Sequence, residues 1–560
     1  MDHYIQLKKS NCKNCYKCIR HCPVKSIRFA DHQAHIVKDQ CILCGECFVA
    51  CPQNAKQIRN DVAIVKQMLA SGRPVYASMA PAFVANYEGS SIKTMEKALK
   101  KLGFSGATET ALGATIVKKQ YEDMIRSGSS RAIISSCCHT VNMLIQKYYP
   151  EALPYLANVI SPMQAHCLKI KEDYPDAHTV FIGPCISKKE EADQTPGIVD
   201  CVLTFEELTE WLREENITIQ HSEEQDKTSE GRARLFPVPG GIIRTMNVDE
   251  ADYDFITIDG LDNCIRALTD IINGNLSHCF IEMSACTGSC IGGPAMGKEH
   301  RTPISDYIAI NHYAREKDFD ISYPGKDKLK KNFTFIGHNS QMPGSSAIIE
   351  ILHKMGKSSK DQELNCGSCG YNTCREKAIA VYQGKADLTM CLPFLKEKAE
   401  NFSDNIIYNM PNGVIVLNED LEVQQINRAA RQILNVKNKN DILGAPVVRI
   451  LNPAVYIGVM MDGKNIHDKQ TYLTEYQKYV EETIIYDKTY HIIISILRDI
   501  TAEEKSRQMK EKISKQSIEI TDKVIEKQMR IVQEIASLLG ETAADTKIAL
   551  TNLKETLKNE

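Results

Sequence analysis

The sequence lacks the features that would assign the protein to a membrane or to nucleic acid. No apolar run reaches the length of about 18 residues that a transmembrane helix needs. The N-terminus has neither the basic start nor the apolar stretch of a signal peptide, so we expect a cytoplasmic protein with no membrane partner. The formal net charge of -3 argues against a surface that binds nucleic acid.

Motifs of the common phosphotransfer enzymes are also missing. The sequence contains no histidine-kinase phosphoacceptor box, no ATP-binding loop and no phosphatase motif. If the protein transmits a signal by phosphotransfer, a separate protein must carry out that step. With 560 residues the chain is too long for one hydrophobic core, so several domains are expected.

Cysteine, in contrast, is abundant. The chain has 21 cysteines, which in a long cytoplasmic protein indicate metal clusters rather than disulfides. Most of them lie in short-spaced motifs. The isolated ones are expected to be small buried side chains, namely Cys167, Cys201, Cys264 and Cys279.

Two cysteine runs open the chain. Each has the spacing C-x2-C-x2-C-x3-C-P, which resembles bacterial two-cluster ferredoxins and implies an electron-transfer domain over residues 1–62. In that family the fourth cysteine of each run binds the other cluster. A structural zinc site is the alternative. The implied [4Fe-4S] ligand sets are Cys12, Cys15, Cys18 and Cys51 for one cluster, and Cys22, Cys41, Cys44 and Cys47 for the second.

Three later segments carry cysteines in another pattern. They read SCCH at residues 136–139, GPCISKKEE at 183–191 and EMSACTGSCIGG at 282–293. Together with APA at 80–82 and PGG at 239–241, they resemble the loops that hold the active-site cluster, the H-cluster, of [FeFe]-hydrogenases. The resemblance covers residues 70–357 and implies that family's catalytic domain.

The resemblance implies both the metal site and its surroundings. A [4Fe-4S] cube would be bound by four cysteines, the last of which bridges to a two-iron subsite with CO, cyanide and a dithiolate: Cys138, Cys185, Cys286 and Cys290. Cys137 would relay protons. Lys188 would donate a hydrogen bond to cyanide, and Glu191 would hold the Lys188 side chain in place. The alternative is that Lys188 and Glu191 are an ordinary i, i+3 pair on the surface of a helix. The pocket would also be lined by Ala80, Pro81, Ala82, Gly183, Ser284, Gly292 and Gly293, the last two allowing close approach to the cluster.

Several positions depart from the catalytic members of the family. His139 replaces a proline, and Gly183 and Ser284 replace methionines that pack around the two-iron site. The two relay glutamates of the family align with Tyr121 and Met124, and the nearby Glu122 should face another direction on the helix. A broken proton relay predicts slow turnover. His139 is equally compatible with a proton-transfer role and a structural role.

A third cluster motif follows at residues 358–398. Its ligands would be Cys366, Cys369, Cys374 and Cys391, and it resembles the small [4Fe-4S] domain of corrinoid iron–sulfur proteins, with structural zinc as the alternative. Residues 375–381 are expected to form a helix. The module could take an electron from the hydrogen site.

The remaining sequence resembles a PAS domain, over residues 402–500, followed by output helices over residues 501–560. A strand pair is predicted over 480–485 and 490–495, and the pattern favours protein interaction over haem or flavin binding. Thr501 and Glu504 form a predicted capping box. A helix break is expected at Gly540. An apolar seam predicts a dimeric coiled coil, or else packing on the PAS domain: Ile513, Ser517, Ile520, Val524, Ile531, Ile535 and Leu538.

The sequence therefore predicts a multidomain α/β protein. Its parts are a ferredoxin-like domain with two [4Fe-4S] clusters, an H-cluster domain, a small α-rich [4Fe-4S] module, an α+β PAS domain and C-terminal helices. The module order resembles the PAS-containing sensory [FeFe]-hydrogenases, and implies a slow enzyme that senses hydrogen and signals to a separate regulator. Partners would be hydrogen, protons and a redox protein such as ferredoxin. The alternatives are a catalytic ferredoxin-dependent hydrogenase and a non-catalytic iron–sulfur scaffold.

Overall fold

The computed structural model describes residues 4–8, 11–128, 130–219, 229–248, 253–297 and 303–556. The chain forms two compact units, Met1–Leu395 and Lys396–Glu560. None of the described helices combines the length and the apolar character that crossing a membrane requires. Short 3-10 helices lie at Pro150–Tyr155, Arg232–Leu235, Ser289–Gly292, Lys326–Leu329, Lys360–Gln362, Leu388–Met390, Lys439–Asp441 and Val447–Arg449.

The N-terminal segment is built from two small antiparallel sheets and two one-turn helices. One sheet pairs the first strand with the fourth, and the other is a hairpin of the second and third strands. The cysteine runs occupy the loops and short helices between them. The elements are β1 Ile5–Leu7, α1 Lys17–Arg20, β2 Ile27–Ala30, β3 Gln33–Ile36, α2 Glu46–Val49 and β4 Lys56–Ile58.

The central region contains two parallel sheets with helices packed on them. Apart from the edge strand Asp254–Asp259, which has no buried residue, their strands are largely apolar and buried, as is typical of parallel strands covered on both faces. The elements are α3 Val62–Ala70, β5 Val75–Met79, α4 Phe83–Asn86, α5 Ile92–Lys101, β6 Gly106–Glu109, α6 Ala111–Ser127, β7 Ala132–Ile134, α7 His139–Tyr148, α8 Pro162–Asp173, β8 His178–Gly183, α9 Ser187–Asp193, β9 Cys201–Thr204, α10 Phe205–Glu214, α11 Gly241–Thr245, β10 Asp254–Asp259, α12 Leu261–Ile272, β11 Cys279–Ser284, α13 Pro303–Tyr313 and α14 Ser345–Lys354.

The two sheets have the strand orders β6-β5-β8-β9 and β10-β11-β7. Every neighbouring pair in both sheets is parallel. Parallel pairing brings the carboxyl ends of neighbouring strands to the same edge, where the loops that follow them meet. The isolated cysteines are buried in this region, as expected: Cys167, Cys201, Cys264 and Cys279.

A buried ion cluster anchors α9, the helix that carries Lys188 and Glu191. The Lys189 ammonium is fully buried and lies 2.8 Å from Asp61 and 2.9 Å from Glu207. It also donates to the backbone carbonyl of Val202 at 2.9 Å. The cluster ties the helix to β9, to α10 and to the chain just before α3, so it fixes the orientation of α9.

Two further helices follow, and the second of them leads into the second unit. They are α15 Cys374–Tyr382 and α16 Leu392–Asn409. The first contains the helix predicted over residues 375–381. It begins at Thr373, whose hydroxyl accepts a hydrogen bond from the Glu376 backbone N–H.

The second unit contains one antiparallel sheet with the strand order β13-β12-β16-β15-β14. Its predicted strand pair is present as a hairpin, in which Asp487 faces Ile492. The core of the unit is formed by the apolar face of this sheet and two helices. The elements are β12 Gly413–Asn418, β13 Val423–Ile426, α17 Arg428–Ile433, α18 Pro453–Asp462, β14 Ile466–Leu473, β15 Lys478–Asp487, β16 Ile492–Asp499 and α19 Thr501–Thr556.

Two sequence predictions about the last helix are wrong. The helix α19 runs through Gly540 without a break, because the neighbouring residues are good helix formers and one glycine costs only about 1 kcal/mol. Thr501 and Glu504 do not form a capping box. The Thr501 hydroxyl donates to the Tyr479 carbonyl, and the Glu504 backbone N–H donates to the Ile500 carbonyl. The predicted end of the second helix at Glu560 lies outside the described residues.

The apolar seam of α19 is exposed within the second unit. This contradicts the alternative in which these side chains pack on their own domain, and it leaves an apolar stripe that nothing in the unit covers. The exposed seam residues are Ile513, Ser517, Ile520, Val524, Ile531, Ile535 and Leu538.

The buried ion cluster gives a testable prediction. Lys189→Met leaves the Glu207 carboxylate buried without a cation and leaves Asp61 with Arg59 alone, so we expect it to lower the free energy of unfolding by about 3–5 kcal/mol. Urea denaturation of the full chain, followed by circular dichroism, measures the change. The control is Lys66→Met, because Lys66 forms a half-exposed pair with Glu215 that contributes about 1 kcal/mol or less. Equal effects of the two substitutions would contradict the anchoring role.

Candidate metal centre

The three cysteine loops of the central region meet because the strands before them are parallel neighbours. Ile134 of β7 pairs with Ile281 of β11, so the loops that carry Cys138 and Cys286 leave the sheet side by side. In the other sheet, Met79 of β5 pairs with Ile182 of β8. The segments 80–82 and 184–185 therefore also leave their sheet together.

These loops enclose a mainly apolar cavity of about 130 Å³. The four predicted cluster ligands line it, together with the predicted relay cysteine and the lysine of α9. The lining members of the predicted site are Cys137, Cys138, Cys185, Cys286, Cys290, Lys188, Ala80, Pro81, Ala82, Ser284 and Gly293.

The thiols of this cavity disfavour one another's ionisation. Burial raises the pKa of Cys286, and the neighbouring Cys185, Cys138 and Cys290 raise it further. Burial also raises the pKa of Cys290, with Cys185 and Cys138 as the next causes. Positive charge placed among these thiols would favour the ionised forms of Cys286 and Cys290.

An iron–sulfur cluster supplies that positive charge, and the donor set fits one. Thiolates are the ligands that iron–sulfur clusters prefer, and metal binding deprotonates them. Among the described residues, no three His, Cys, Asp or Glu side chains are grouped tightly enough to hold a single metal ion. A polynuclear cluster spaces its cysteines more widely than one zinc ion, whose bonds to sulfur are about 2.3 Å.

Lys188 and Glu191 form a buried pair beside the cavity rather than a surface pair. The Lys188 Nζ lies 2.5 Å from Glu191 Oε2 and donates to the carbonyl of Cys137 at 3.1 Å. Burial acts to raise the pKa of Glu191, but Lys188, His139 and Lys331 hold it at about 2. The carboxylate therefore stays ionised and keeps the Lys188 ammonium at the cavity wall.

Cys137 contacts a tyrosine where the family has a glutamate. The Tyr121 hydroxyl is 3.2 Å from Cys137 Sγ and 3.2 Å from Ser136 Oγ. Ser136 Oγ in turn donates to the carbonyl of Val159 at 2.8 Å. Burial is the main cause that raises the pKa of Cys137 to about 12, so the group is a neutral thiol near pH 7. This chain of hydrogen bonds ends at a backbone carbonyl, which cannot pass a proton on.

The other two residues of the predicted relay region form no hydrogen bond with Cys137 in the described structure. Met124 packs against the same apolar cluster as Cys137 and carries no group that could relay a proton. Glu122 is buried and accepts the Asn247 backbone N–H at 2.9 Å, and Lys118 lies 3.9 Å from it. The expected direction of Glu122 therefore agrees with the structure.

Glu282 is a candidate functional residue that the sequence analysis did not assign. It lies in β11, is only 3% exposed and accepts the Ile243 backbone N–H at 3.1 Å. Burial raises its pKa to about 7, and its charge raises the pKa of Cys137. The sequence did contain a signal for this residue: a glutamate within an otherwise apolar strand. A strand that is buried on both faces normally holds an apolar residue at such a position.

His139 lies at the first position of α7 and lines the cavity. Its Nε2 is 3.4 Å from Glu190 Oε2. Its Nδ1 is buried and has no hydrogen-bond partner in the described structure. One nitrogen thus has a structural contact and the other has none, so both roles considered for His139 stay open.

The predicted small residues around the cavity serve different purposes. A Cβ at Gly183 would lie 2.7 Å from the ring of Phe181, so the Phe181 ring occupies the space that a larger side chain would need. Ser284 lines the cavity and its Oγ is 2.9 Å from Ser289 Oγ. Gly183 itself is not among the lining residues of this cavity.

The expected role of Gly292 needs correction. Gly292 is exposed and does not line the cavity. A Cβ there would lie 1.9 Å from the Thr287 carbonyl oxygen, so the tight turn of its own loop requires glycine. Gly293 does line the cavity, and a Cβ there would lie 2.7 Å from the Pro184 carbonyl oxygen.

The N-terminal cysteines surround two separate small cavities. The two groups are the ligand sets that the spacing predicts: Cys12, Cys15, Cys18 and Cys51 in one, and Cys22, Cys41, Cys44 and Cys47 in the other. Cys44 also lines the central cavity and raises the pKa of Cys286. A Cβ at Gly45 would lie 2.5 Å from Pro294, so this loop packs directly on the third hydrogenase-type loop.

The third cysteine module contains a buried cation. The Lys377 ammonium is within electrostatic reach of Cys369, Cys391 and Cys374, while burial is the main cause that lowers its pKa. Lys377 is 1% exposed and donates to the Leu388 carbonyl at 3.2 Å. Such a cation would offset the negative charge of a cluster held by these thiolates.

This third module packs on the N-terminal segment. Tyr371 is buried in the same apolar cluster as Ile19 and Cys18. Gly370 has φ +92°, and a Cβ there would lie 3.0 Å from Ile19. Lys25 Nζ donates to the Gly370 carbonyl at 3.1 Å and is influenced electrostatically by both Cys22 and Cys369.

Three protein families match parts of the chain. Residues 73–294 match the iron-only hydrogenase large subunit, C-terminal domain. Residues 4–52 match the 4Fe-4S dicluster domain. Residues 362–393 match a family described as a putative Fe–S cluster. The matched ranges contain all of the proposed cluster cysteines.

Individual proteins are similar to parts of the chain. The periplasmic [Fe] hydrogenase large subunit of Nitratidesulfovibrio vulgaris is 25% identical over 361 residues, which is 52% of this chain and 86% of that protein. The apo [FeFe]-hydrogenase HydA1 of Chlamydomonas reinhardtii is 17% identical with a TM-score of 0.40, covering 50% of this chain and all of that one. The PAS domain of an HTR-like protein from Haloarcula marismortui is 16% identical with a TM-score of 0.16, over 19% of this chain and 95% of that one.

The family matches and the site agree on the class of protein. The match at residues 73–294 contains all three loops that surround the central cavity. The matches at 4–52 and 362–393 contain the other cysteine sets. The chain is therefore a hydrogenase-like iron–sulfur protein, similar over residues 73–294 to the large subunit of iron-only hydrogenases.

Proposed function

We propose that the protein senses molecular hydrogen at the central cavity and passes the redox change to its C-terminal unit. When bound, the H-cluster supplies the reversible conversion of hydrogen into two protons and two electrons. The observation that carries the sensory part of the proposal is the hydrogen-bond chain from Cys137, which ends at the Val159 carbonyl. A site with no outward proton path through this chain is suited to slow turnover.

The residues of the cavity have distinct roles in this proposal. Cys137 holds and moves a proton at its Sγ, as a neutral thiol rather than as a thiolate. Lys188 presents its ammonium to anionic ligands of the cluster, and Glu191 fixes its position. Pro81 and the alanines on either side of it exclude water from one wall.

Electrons would leave the cavity through the N-terminal domain. Cys44 lies beside Cys286, and the third module contacts the N-terminal domain near Cys22. The proposed order is central cavity, N-terminal clusters and third cluster. Three [4Fe-4S] clusters and the H-cluster would take part, and a redox protein such as ferredoxin could exchange electrons with this chain of clusters.

The C-terminal unit would provide the output. Its antiparallel sheet flanked by helices supports the PAS assignment, and a PAS domain suits interaction between proteins. The exposed apolar seam of α19 supports a homodimer through this helix. Because the sequence has no phosphotransfer motif, a separate cytoplasmic regulator would receive the signal.

A catalytic hydrogenase is the second candidate function, and Glu282 is the observation that favours it. Its pKa of about 7 suits proton exchange at neutral pH, and it lies within electrostatic reach of Cys137. If Glu282 replaces the missing relay glutamates, turnover could be fast. A non-catalytic scaffold is disfavoured by the Lys188–Glu191 pair, which a simple four-cysteine cluster does not need.

Infrared spectroscopy tests the hydrogen site itself. Protein matured anaerobically should show CO and cyanide bands under argon that shift under hydrogen. Many enzymes turn over at about hundreds per second. The proposed sensor should turn over hydrogen much more slowly than that. Faster turnover would support the catalytic alternative. If no bands form while a control hydrogenase matures normally, the scaffold is correct.

Substitutions around Cys137 separate the sensor from the catalyst. Cys137→Ala should slow hydrogen–deuterium exchange catalysed by the protein by about 100-fold or more, because it removes the thiol that carries the proton. Tyr121→Phe should change the rate little, since its hydrogen-bond chain leads only to a carbonyl. Glu282→Gln should also have little effect in the sensor. A large loss in Glu282→Gln with unchanged infrared bands would instead support the catalytic function.

The contact between the third module and the N-terminal domain can be tested with glycine substitutions. Gly370→Val would press a side chain against Ile19 and should slow the reduction of the third cluster under hydrogen. Freeze-quench electron paramagnetic resonance measures this rate. Gly384→Val is a matched control, because Gly384 also has a positive φ but has open space around it. Equal rates in both variants would contradict the proposed electron path.

A further inference from the structure

A second cavity, of about 600 Å³, lies between three segments of the first unit. The N-terminal domain contributes Arg28, His35 and Gln40 to its wall. The chain before α14 contributes Asn339, and the third module contributes Lys385. This volume is in the range of pockets that bind small molecules. None of the cysteines proposed as cluster ligands lines it.

The wall of this cavity carries positive charge that no carboxylate in the wall balances. Arg28 and Lys385 both line it, and no Asp or Glu does. Lys385 is only 9% exposed, yet no salt bridge or side-chain hydrogen bond of Lys385 is present in the described structure. Partial burial is the main cause that lowers the pKa of Lys385, and a bound anion would offset the cost of that burial.

One acidic side chain outside the wall lies within electrostatic reach of Lys385. Asp39 influences Lys385 electrostatically, but it does not line the cavity. One of its oxygens accepts the Asn339 backbone N–H at 3.2 Å. The cationic side of the cavity thus remains open to an external anion.

Two buried polar atoms in the wall also have no partner in the part of the chain that the structure describes. They are His35 Nε2 and Gln40 Oε1. Gln40 is 3% exposed, and its Nε2 is already used in a hydrogen bond to the Asn339 carbonyl at 3.1 Å. Its free oxygen can only accept a hydrogen bond. A ligand that completes this wall therefore needs a hydroxyl donor as well as anionic oxygens.

We propose that this cavity is a binding site for a small oxyanion that also carries a hydroxyl group. Arg28 and Lys385 bind the anionic oxygens, and Gln40 accepts the hydroxyl proton. Hydrogen phosphate and a hydroxycarboxylate share this chemistry. Sulfate and chloride carry no hydroxyl donor near neutral pH and fit the site less well.

The position of the site connects it to the contact between the third module and the N-terminal domain. The Phe29 backbone N–H donates to the Lys385 carbonyl at 2.7 Å. On the other side, Gln383 Nε2 donates to the Gln341 carbonyl at 3.0 Å. An anion bound to both Arg28 and Lys385 would strengthen this contact. Binding itself does not depend on the proposed hydrogen chemistry.

Isothermal titration calorimetry of the full-length, anaerobically prepared protein tests the site. We expect saturable 1:1 binding of inorganic phosphate, of malate, or of both, and weaker binding of sulfate at the same ionic strength. Binding of phosphate would identify the ligand as a phosphate, and binding of malate would identify it as a hydroxycarboxylate. Absence of saturable binding by phosphate and malate would overturn the proposal, and equally tight binding of sulfate would overturn the hydroxyl requirement.

Three variants establish the location. Lys385→Gln should weaken binding by about ten- to a hundredfold, the range for a hydrogen bond to a charged group. Arg28→Gln should also weaken it, and because Arg28 is exposed this change does not endanger folding. Lys360→Gln, which removes an exposed charge outside the cavity, should bind like the unmodified protein. Unchanged affinity in both Arg28→Gln and Lys385→Gln would overturn the assignment.

Discussion

The structure depends on one electrostatic constraint: many buried thiols share small, mainly apolar spaces. Burial and mutual repulsion both raise the pKa of Cys286, and burial with repulsion from Cys185 does the same for Cys138. Positive charge placed among the central thiols would favour the ionised forms of Cys138 and Cys286. Iron supplies most of that charge in a cluster, and the protein must then balance the net negative charge that remains.

Buried lysines near the thiols provide this balance. Lys188 lies at the central cavity and lowers the pKa of Cys290 against the effect of burial. Lys56 is 4% exposed and acts in the same direction on Cys18 and Cys47. Lys377 occupies the corresponding place in the third module. Each of these ammonium groups also bonds a carbonyl or a carboxylate, which fixes where its charge lies.

The parts of the site that could be predicted are those encoded within short segments. The spacing within each cysteine run places three thiols on one loop, and the resemblance to two-cluster ferredoxins supplied the exchange of the fourth; the structure groups the N-terminal cysteines in the same two sets. Contacts between distant segments that no motif encodes could not be predicted. The Tyr121–Cys137 contact depends on how α6 packs beside β7, and the Gly370–Ile19 contact joins segments far apart in sequence.

The errors have a related origin. Gly292 was assigned by motif to the cluster wall, but the geometry of its own turn is what requires glycine there. Gly540 was expected to end a helix, although its neighbours favour the helix strongly enough to continue it. In both cases the identity of one residue was given more weight than its surroundings.

The order of modules along the chain is not the order in space. The third module follows the hydrogenase-type domain in sequence, yet its buried Tyr371 packs against Ile19 of the first domain. The final ligand of that module, Cys391, is followed directly by α16, and its carbonyl accepts the Leu395 N–H of the first turn. In the proposed function, a change in charge at Cys391 would act on the first hydrogen bond of the helix that leads into the C-terminal unit. Because the N–H groups at a helix start carry partial positive charge, a change in negative charge beside them would alter the stability of that first turn, and this covalent connection is the route that the proposed sensor would use.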